Sequence, residues 1–111
     1  MQGHAIYTET VTASGAISSQ RLVTHLGAQA TVAAEKVLGI ASFDAADTDL
    51  VAVVAKGSAV VEAGGVIAVG DPLTTDAQGR AIKSTAGTDY VFGDARGAAA
   101  GAGSTFEALL R

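Results

Sequence analysis

The sequence predicts a mainly β fold: a small β-barrel or sandwich with short strands, glycine turns and an extended N-terminal arm. Three observations carry that reading. From Arg21 onward the chain breaks into segments of four to nine residues separated by glycine or acidic turns, which is the spacing of small barrels and sandwiches. No apolar pattern sustains a helix longer than two turns. The stretch GGVIAVGDPLTTDAQGRAIKS (64–84) reads as a rigid hairpin.

Taken in order, AIYTETVT (5–12) is poor in turn formers and rich in β-branched and aromatic residues, so it extends as a strand. A run of small and polar residues, ASGAISSQ (13–20), follows as a soft linker. A strand-competent arm before a hinge suits pairing with something outside its own domain, and equally suits the first strand of the domain's own sheet. The expected division is therefore an arm and linker over 1–20 and a single β-rich domain over 21–111. Within that domain RLVTHL, KVLGIAS, DLVAVVAKG, AVVEAGG, PLTTD, GRAIKS and TFEALL are the expected strands. Val51, Val53, Val60 and Ile67 are the expected core. Residues 28–38 could make a helical turn through AAEK, and Ser104 with Glu107 has the spacing of a capping box. Only four residues follow Glu107, too few for an independent helix, so the end reads as a closing strand.

The hairpin has a stated chemistry. Asp71 precedes Pro72 and is biased to extended backbone, and proline can open a strand where no ladder donor is needed. Residues 73–75 and 80–82 then flank DAQG. There Asp76 can accept a backbone hydrogen bond and Gly79 can take a positive φ at little cost. Asp71, Pro72, Asp76 and Gly79 are thus the expected structural residues of the turn.

Composition narrows the function classes. With 111 residues there is room for one domain, burying about two-thirds of its unfolded surface. Hydrophobic residues are 49% but aromatics only 5%, at a mean hydropathy of +0.37, so the core is mostly alanine and valine. An alanine methyl removes little area at about 25 cal/mol per Å², and burial against identical neighbours is the natural remedy. A net charge of −4 with seven scattered basic residues argues against holding a phosphate backbone. The absence of cysteine rules out a disulfide framework or thiolate site and fits an intracellular origin. The first twenty residues hold no Lys or Arg and no long apolar run, so neither a signal peptide nor a membrane anchor is expected.

No catalytic set is legible. GAAAGAGST (97–105) resembles a phosphate-cradling loop, but Gly103 stands where the P-loop lysine must precede Ser or Thr. Phe106 breaks the dinucleotide fingerprint, and a flexible loop is expected. DAADTD (44–49) suggests a calcium loop but lacks the sharp-turn glycine and has Ala55 where the bidentate glutamate would sit. A solvated turn between strands is the expectation. His4 and His25, the only imidazoles, have no Cys, His or carboxylate at helical ligand spacing. A Ser-His-Asp set brought together only by the fold stays open.

The succession VLGIAS, DLVAVVAKGSAVVEAGG, IAVGDPLTTDAQGRAI, a Gly/Ala-rich segment and TFEALLR resembles the small capsid decoration, or cement, proteins of tailed bacteriophages. The resemblance covers about residues 20 to 111, and its most specific piece is the GDPL…D…GRA hairpin with the preceding VEAGG turn. It implies a β-rich virion protein, commonly a homotrimer, made in the host cytoplasm. Such a protein binds the major capsid protein on the outer surface of the expanded head and stabilises the lattice. It also implies no enzyme activity, cofactor, metal, direct nucleic-acid contact or membrane. Some members of that family carry a recombinase label, which the missing P-loop lysine argues against here. On physical grounds the N-terminal arm is the expected capsid contact, through Gln2, His4, Ile6, Tyr7 and Glu9. The alternatives are a DNA-recombination accessory protein or small enzyme, and a bacterial self-assembling structural module.

Overall fold

The computed structural model describes residues 5–85, 87 and 89–110. Eight strands follow one another: β1 (Ala5–Thr12), β2 (Leu22–Val23), β3 (Gly39–Ala41), β4 (Leu50–Glu62), β5 (Pro72–Thr75), β6 (Ala81–Lys83), β7 (Gly93–Ala95) and β8 (Thr105–Leu110). They form one sheet in the order β2-β3-β4-β8-β7-β5-β6, with β1 beside β4, and the sheet curls into a nearly closed small barrel. Every strand pair is antiparallel, so short connections suffice. No helix occurs among the described residues; the AAEK segment is turn and coil, with Ala34 at φ +64°.

Strand β4 is the spine. DLVAVVAKG and AVVEAGG, expected as two strands, are one strand of 13 residues. The physical reason is Gly57: at φ +96° it absorbs the irregularity that a side chain there would resist. Beside it, the β1–β4 register slips between Ala5 and Thr8. Val53 and Val54 pair with Glu9 and Thr8 on β1 and with Ala41 and Ile40 on β3, so β1 and β3 flank β4 on opposite edges. The second half of β4 pairs with β8, from Gly57↔Leu110 to Glu62↔Thr105.

Two apolar clusters fill the interior. One gathers Leu22, Ile40, Val54, Val61, Ile67, Leu73, Phe92, Phe106 and Leu110 with several alanines. The other holds Ala13, Ile17, Val23, Ala41, Ala45, Val51 and Val53, with Val11 and Leu38 packed against it. Val51, Val53 and Ile67 are buried as expected, but Val60 is only half-buried. Alternation along β4 turns Val60 away and puts Val61 in the core. The 13–20 stretch, expected as a soft linker, carries Ala13 and Ile17 in the second cluster, and Ile17 bridges Ala45. The glycine-alanine segment of 97–105, expected to be flexible, is likewise pinned by an Ile67↔Ala99 bridge.

Candidate functional site

Two places combine polar groups with a surface: the outer side of β1 and the tip of the β5–β6 hairpin. β1 follows from its sequence. Its β-branched residues suit a pleated surface, and seven register pairs, ending at Val11↔Val51 and Thr12↔Leu50, tie it to β4. Of the two readings of the arm, the described residues take the own-sheet one. Among the described strands β1 pairs with β4 alone, so its second edge carries no strand and is open except at the Thr12 end, where the Gly27 loop lies against the backbone and Gly27 O accepts from Ser14 N.

Thr8, Thr10 and Thr12 are exposed, and Tyr7 is 51% exposed. The Tyr7 hydroxyl donates to Glu9 Oε2, two residues along on the same face of the strand. That hydrogen bond, with the carboxylate's charge, holds the phenol above its ordinary value. Gln2 and His4, expected beside these two, lie outside the described residues. Ile6 lies within β1, and its side chain is outside what is described. The sequence reading missed the threonines, although their period-two spacing on a strand without Lys, Arg or Pro signals an unprotected edge.

The hairpin is built as its residues dictate. Pro72 opens β5. Asp71 Oδ2 accepts from the Ala68 amide at 2.9 Å, and its Oδ1 lies 3.8 Å from Lys83 Nζ. Asp76 Oδ1 accepts from the Gln78 and Arg80 amides at 2.9 and 2.8 Å, while Oδ2 takes Arg80 Nε at 3.2 Å. Gly79 sits at φ +77°, and its amide donates to Asp76 O at 3.3 Å.

Arg21, which the sequence reading did not single out, locks this tip to the rest of the sheet. Its Nη1 donates to Gln78 O at 2.8 Å and its Nη2 to Glu62 Oε2 at 3.2 Å. The Gln29 amide joins on the same carbonyl at 3.1 Å. No spacing in the sequence links 21, 62 and 78; only the fold brings them together.

The acidic 44–49 segment turns out to bind backbone. Asp44 Oδ1 accepts from Ser19 N at 2.7 Å, Asp47 Oδ1 from Gly15 N at 2.8 Å and Asp49 Oδ2 from Ala46 N at 3.1 Å. These bonds close loops, as Asx-type contacts do, and aim no carboxylates at a common point. Among the described residues no group of three or more His, Cys, Asp or Glu could hold a metal ion. A shallow cleft of about 220 Å³ is lined by Gln20, Ser42, Ser58 and apolar residues of β3 and β4, without a titratable side chain. It is smaller than ordinary ligand pockets.

The chain is similar in fold to the head fiber gp8.5 N base of bacteriophage phi29, known from its crystal structure. The two share a TM-score of 0.75 and 24% sequence identity, over 95% of this chain and 93% of that one. No curated protein matches. The family model of the phage cement proteins matches residues 1–110, so the likeness extends through the arm as well as the region from about residue 20 onward. Matched by that model along nearly its whole length, the chain belongs to the phage cement protein family and is a structural protein of the phage head.

Proposed function

We propose that the protein is a non-enzymatic cement that binds the major capsid protein on the outer surface of the expanded head as a homotrimer and stabilises the lattice. Membership of the cement family supports the role. The observation that supports the site is the open edge of β1, with its exposed threonines and Tyr7. An edge strand without Lys or Pro is a template for strand addition. Main-chain hydrogen bonds then give affinity without large side chains.

In this reading residues 1–20 act as the contact arm of a decoration domain over 21–111. Gln2, His4, Ile6, Tyr7 and Glu9 are the capsid-contact residues, while Asp71, Pro72, Asp76 and Gly79 keep the hairpin rigid. The alanine-rich interior gives each copy modest stability, and burial against two neighbours in a trimer compensates.

The mechanism is linkage. A protein that binds the assembled lattice and not its free subunits stabilises the lattice by RT ln(1 + [L]/Kd), about 2.7 kcal/mol per site at a hundredfold excess. Three weak footprints on one trimer engage together and add avidity. The test is co-sedimentation of the purified protein with heads that lack it, unexpanded and expanded, counting copies bound per capsid subunit. Saturable binding to expanded heads alone is expected. Thr8→Lys/Thr10→Lys, which charges the open edge while leaving the β4 side intact, should keep the fold and lose occupancy. Full occupancy by that variant would move the contact elsewhere; no binding by the wild type would end the cement reading.

A further inference from the structure

The two apolar clusters are the same structure built twice. β1 against β4 from Thr12↔Leu50 to Thr8↔Val54 is matched by β4 against β8 from Glu62↔Thr105 to Ser58↔Leu109. The β2–β3 pairs Leu22↔Ile40 and Val23↔Gly39 are matched by the β5–β7 pairs Pro72↔Asp94 and Leu73↔Gly93. Ala41↔Val53 is matched by Ala95↔Ala108. The isolated bridges Ile17↔Ala45 and Ile67↔Ala99 fall at corresponding points.

Irregular hydrogen bonds outside the ladders repeat too. Ala13 N→Asp49 O and Thr48 N→Ala13 O recur as Ala63 N→Ser104 O and Gly103 N→Ala63 O. Gln20 N→Ala41 O and Leu38 N→Val23 O recur as Gly70 N→Ala95 O and Phe92 N→Leu73 O. The positive-φ residues Gln20 and Thr48 recur as Gly70 and Gly103. Even the tightest approach repeats: a Cβ on Gly39 would lie 2.1 Å from Val54 O, and one on Gly93 2.1 Å from Leu109 O. Each member of the smaller cluster has a counterpart in the larger, as Ile17 has Ile67, Val23 has Leu73, Val51 has Phe106 and Leu38 has Phe92.

We propose that the chain is a tandem duplication of one four-stranded unit, the units sharing β4 as last strand of the first and first strand of the second. The face by which one unit docks on the next is then a surface for another copy of that unit. In the first unit the cross-strand row Leu22–Ile40–Val54 is buried in the larger cluster, among residues of the second unit. The corresponding row of the second unit, Pro72–Asp94–Leu109, reaches the surface instead: Pro72 and Asp94 are half-buried and Leu109 is 38% exposed. At the other end Glu9 stands on β1 where the second unit has buried Ala59. An acid thus occupies each end where the junction is apolar, which is how repeat arrays cap their terminal units. The occupant that fits the second unit's outer row is a further copy of the unit, and Asp94 and Glu9 keep it away.

Two variants of the full chain test this. The first repeats residues 13–62 once in tandem, so that Glu62 is followed by a second Ala13 and the original sequence resumes at residue 63 after the repeat. Its new peptide link, Glu62–Ala13, stands where the wild type has Thr12–Ala13 and Glu62–Ala63, and the copied Leu50–Val54 segment takes the place that β8 holds against residues 58–62. The expected result is a soluble protein with one cooperative urea transition and an m-value about 1.4-fold higher, since m follows the surface exposed. An insoluble product, or a wild-type m-value with the inserted segment cut by protease, would overturn the duplication. The second, Glu9→Ala/Asp94→Ile, removes the caps. In sedimentation its mass should climb with concentration beyond the wild-type species, as head-to-tail contacts do. A wild-type mass at every concentration, with an intact fold by circular dichroism, would overturn the docking surface.

Discussion

Gly93→Ala is, with Gly39→Ala, among the sharpest perturbations available, because the structure fixes what the new methyl group meets. A Cβ at 93 would sit 2.1 Å from Leu109 O, 2.9 Å from Leu109 C and 3.1 Å from Leu110 Cα. These are backbone atoms of β8, so no rotamer change relieves the overlap; β7 must lift off β8. Lifting strains or breaks the Gly93↔Leu110 and Asp94↔Leu109 pairs. Ladder hydrogen bonds are worth about 1 kcal/mol each net, and overpacking adds about 1–3 kcal/mol. The expected loss is about 3–4 kcal/mol, a large share of the roughly 5–15 kcal/mol a domain of this size possesses. At about 4 °C per kcal/mol, Tm should fall by roughly 12–16 °C in a thermal melt followed by circular dichroism. Gly65→Ala is the control: nothing lies within 4 Å of its Cβ and its φ is not positive, so Tm should hold or rise slightly. A fall of under about 3 °C for Gly93→Ala would refute the close-approach argument.

Other expectations follow from single contacts. Thr74 Oγ1 is buried without a hydrogen-bond partner among the described residues, so Thr74→Val should raise stability by about 1 kcal/mol in urea titration. Arg21→Met removes the ion pair to Glu62 and the bond to Gln78 O and should cost about 1–2 kcal/mol, with faster amide exchange at the hairpin tip. Gly79→Val meets both a positive φ and Gln29 Cγ at 2.9 Å and should cost about 2–3 kcal/mol, whereas Gln78→Ala, whose carbonyl is backbone, should sit within about 0.5 kcal/mol of wild type. The Tyr7 phenol is raised, so its contribution is complete below the ordinary value of about 10 and is lost as pH rises through the higher folded value. Spectroscopic titration in a Tyr90→Phe background should place the midpoint above that of Glu9→Gln.

The class of fold was legible because strand length, glycine turns and the DAQG hairpin are local properties, and local chemistry decided them. The merging of two expected strands into β4 was not legible. A glycine inside an apolar run marks a break or a bulge equally well, and only the partners on both sides decide. β7 was hidden for a related reason: GDA is too short and small to signal a strand, and it exists because Gly93 lets β8 come close. The soft look of 13–20 misled because burial of Ala13 and Ile17 depends on Ala45, far along the chain. At the candidate site, the placing of Tyr7 and Glu9 on a strand was legible in the β-branched arm, while the placing of Arg21 was not, since its partners are 41 and 57 residues away. The duplication escaped a reading by periodicity because its spacing drifts, from Ile17 and Ile67 to Gly39 and Gly93 to Thr48 and Gly103, and because few residues beyond alanine and glycine are shared.

In the proposed cement role, β4 has a mechanical meaning. A pull that separates the two ends of the barrel runs along a single covalent strand, Leu50 to Glu62, gripped by β1 and β3 over one half and by β8 over the other. Those ladder bonds lie across the direction of pull and share the load in shear, so they yield together and not one after another. The compliant point is Gly57, whose left-handed backbone lets the strand straighten before its hydrogen bonds are stressed.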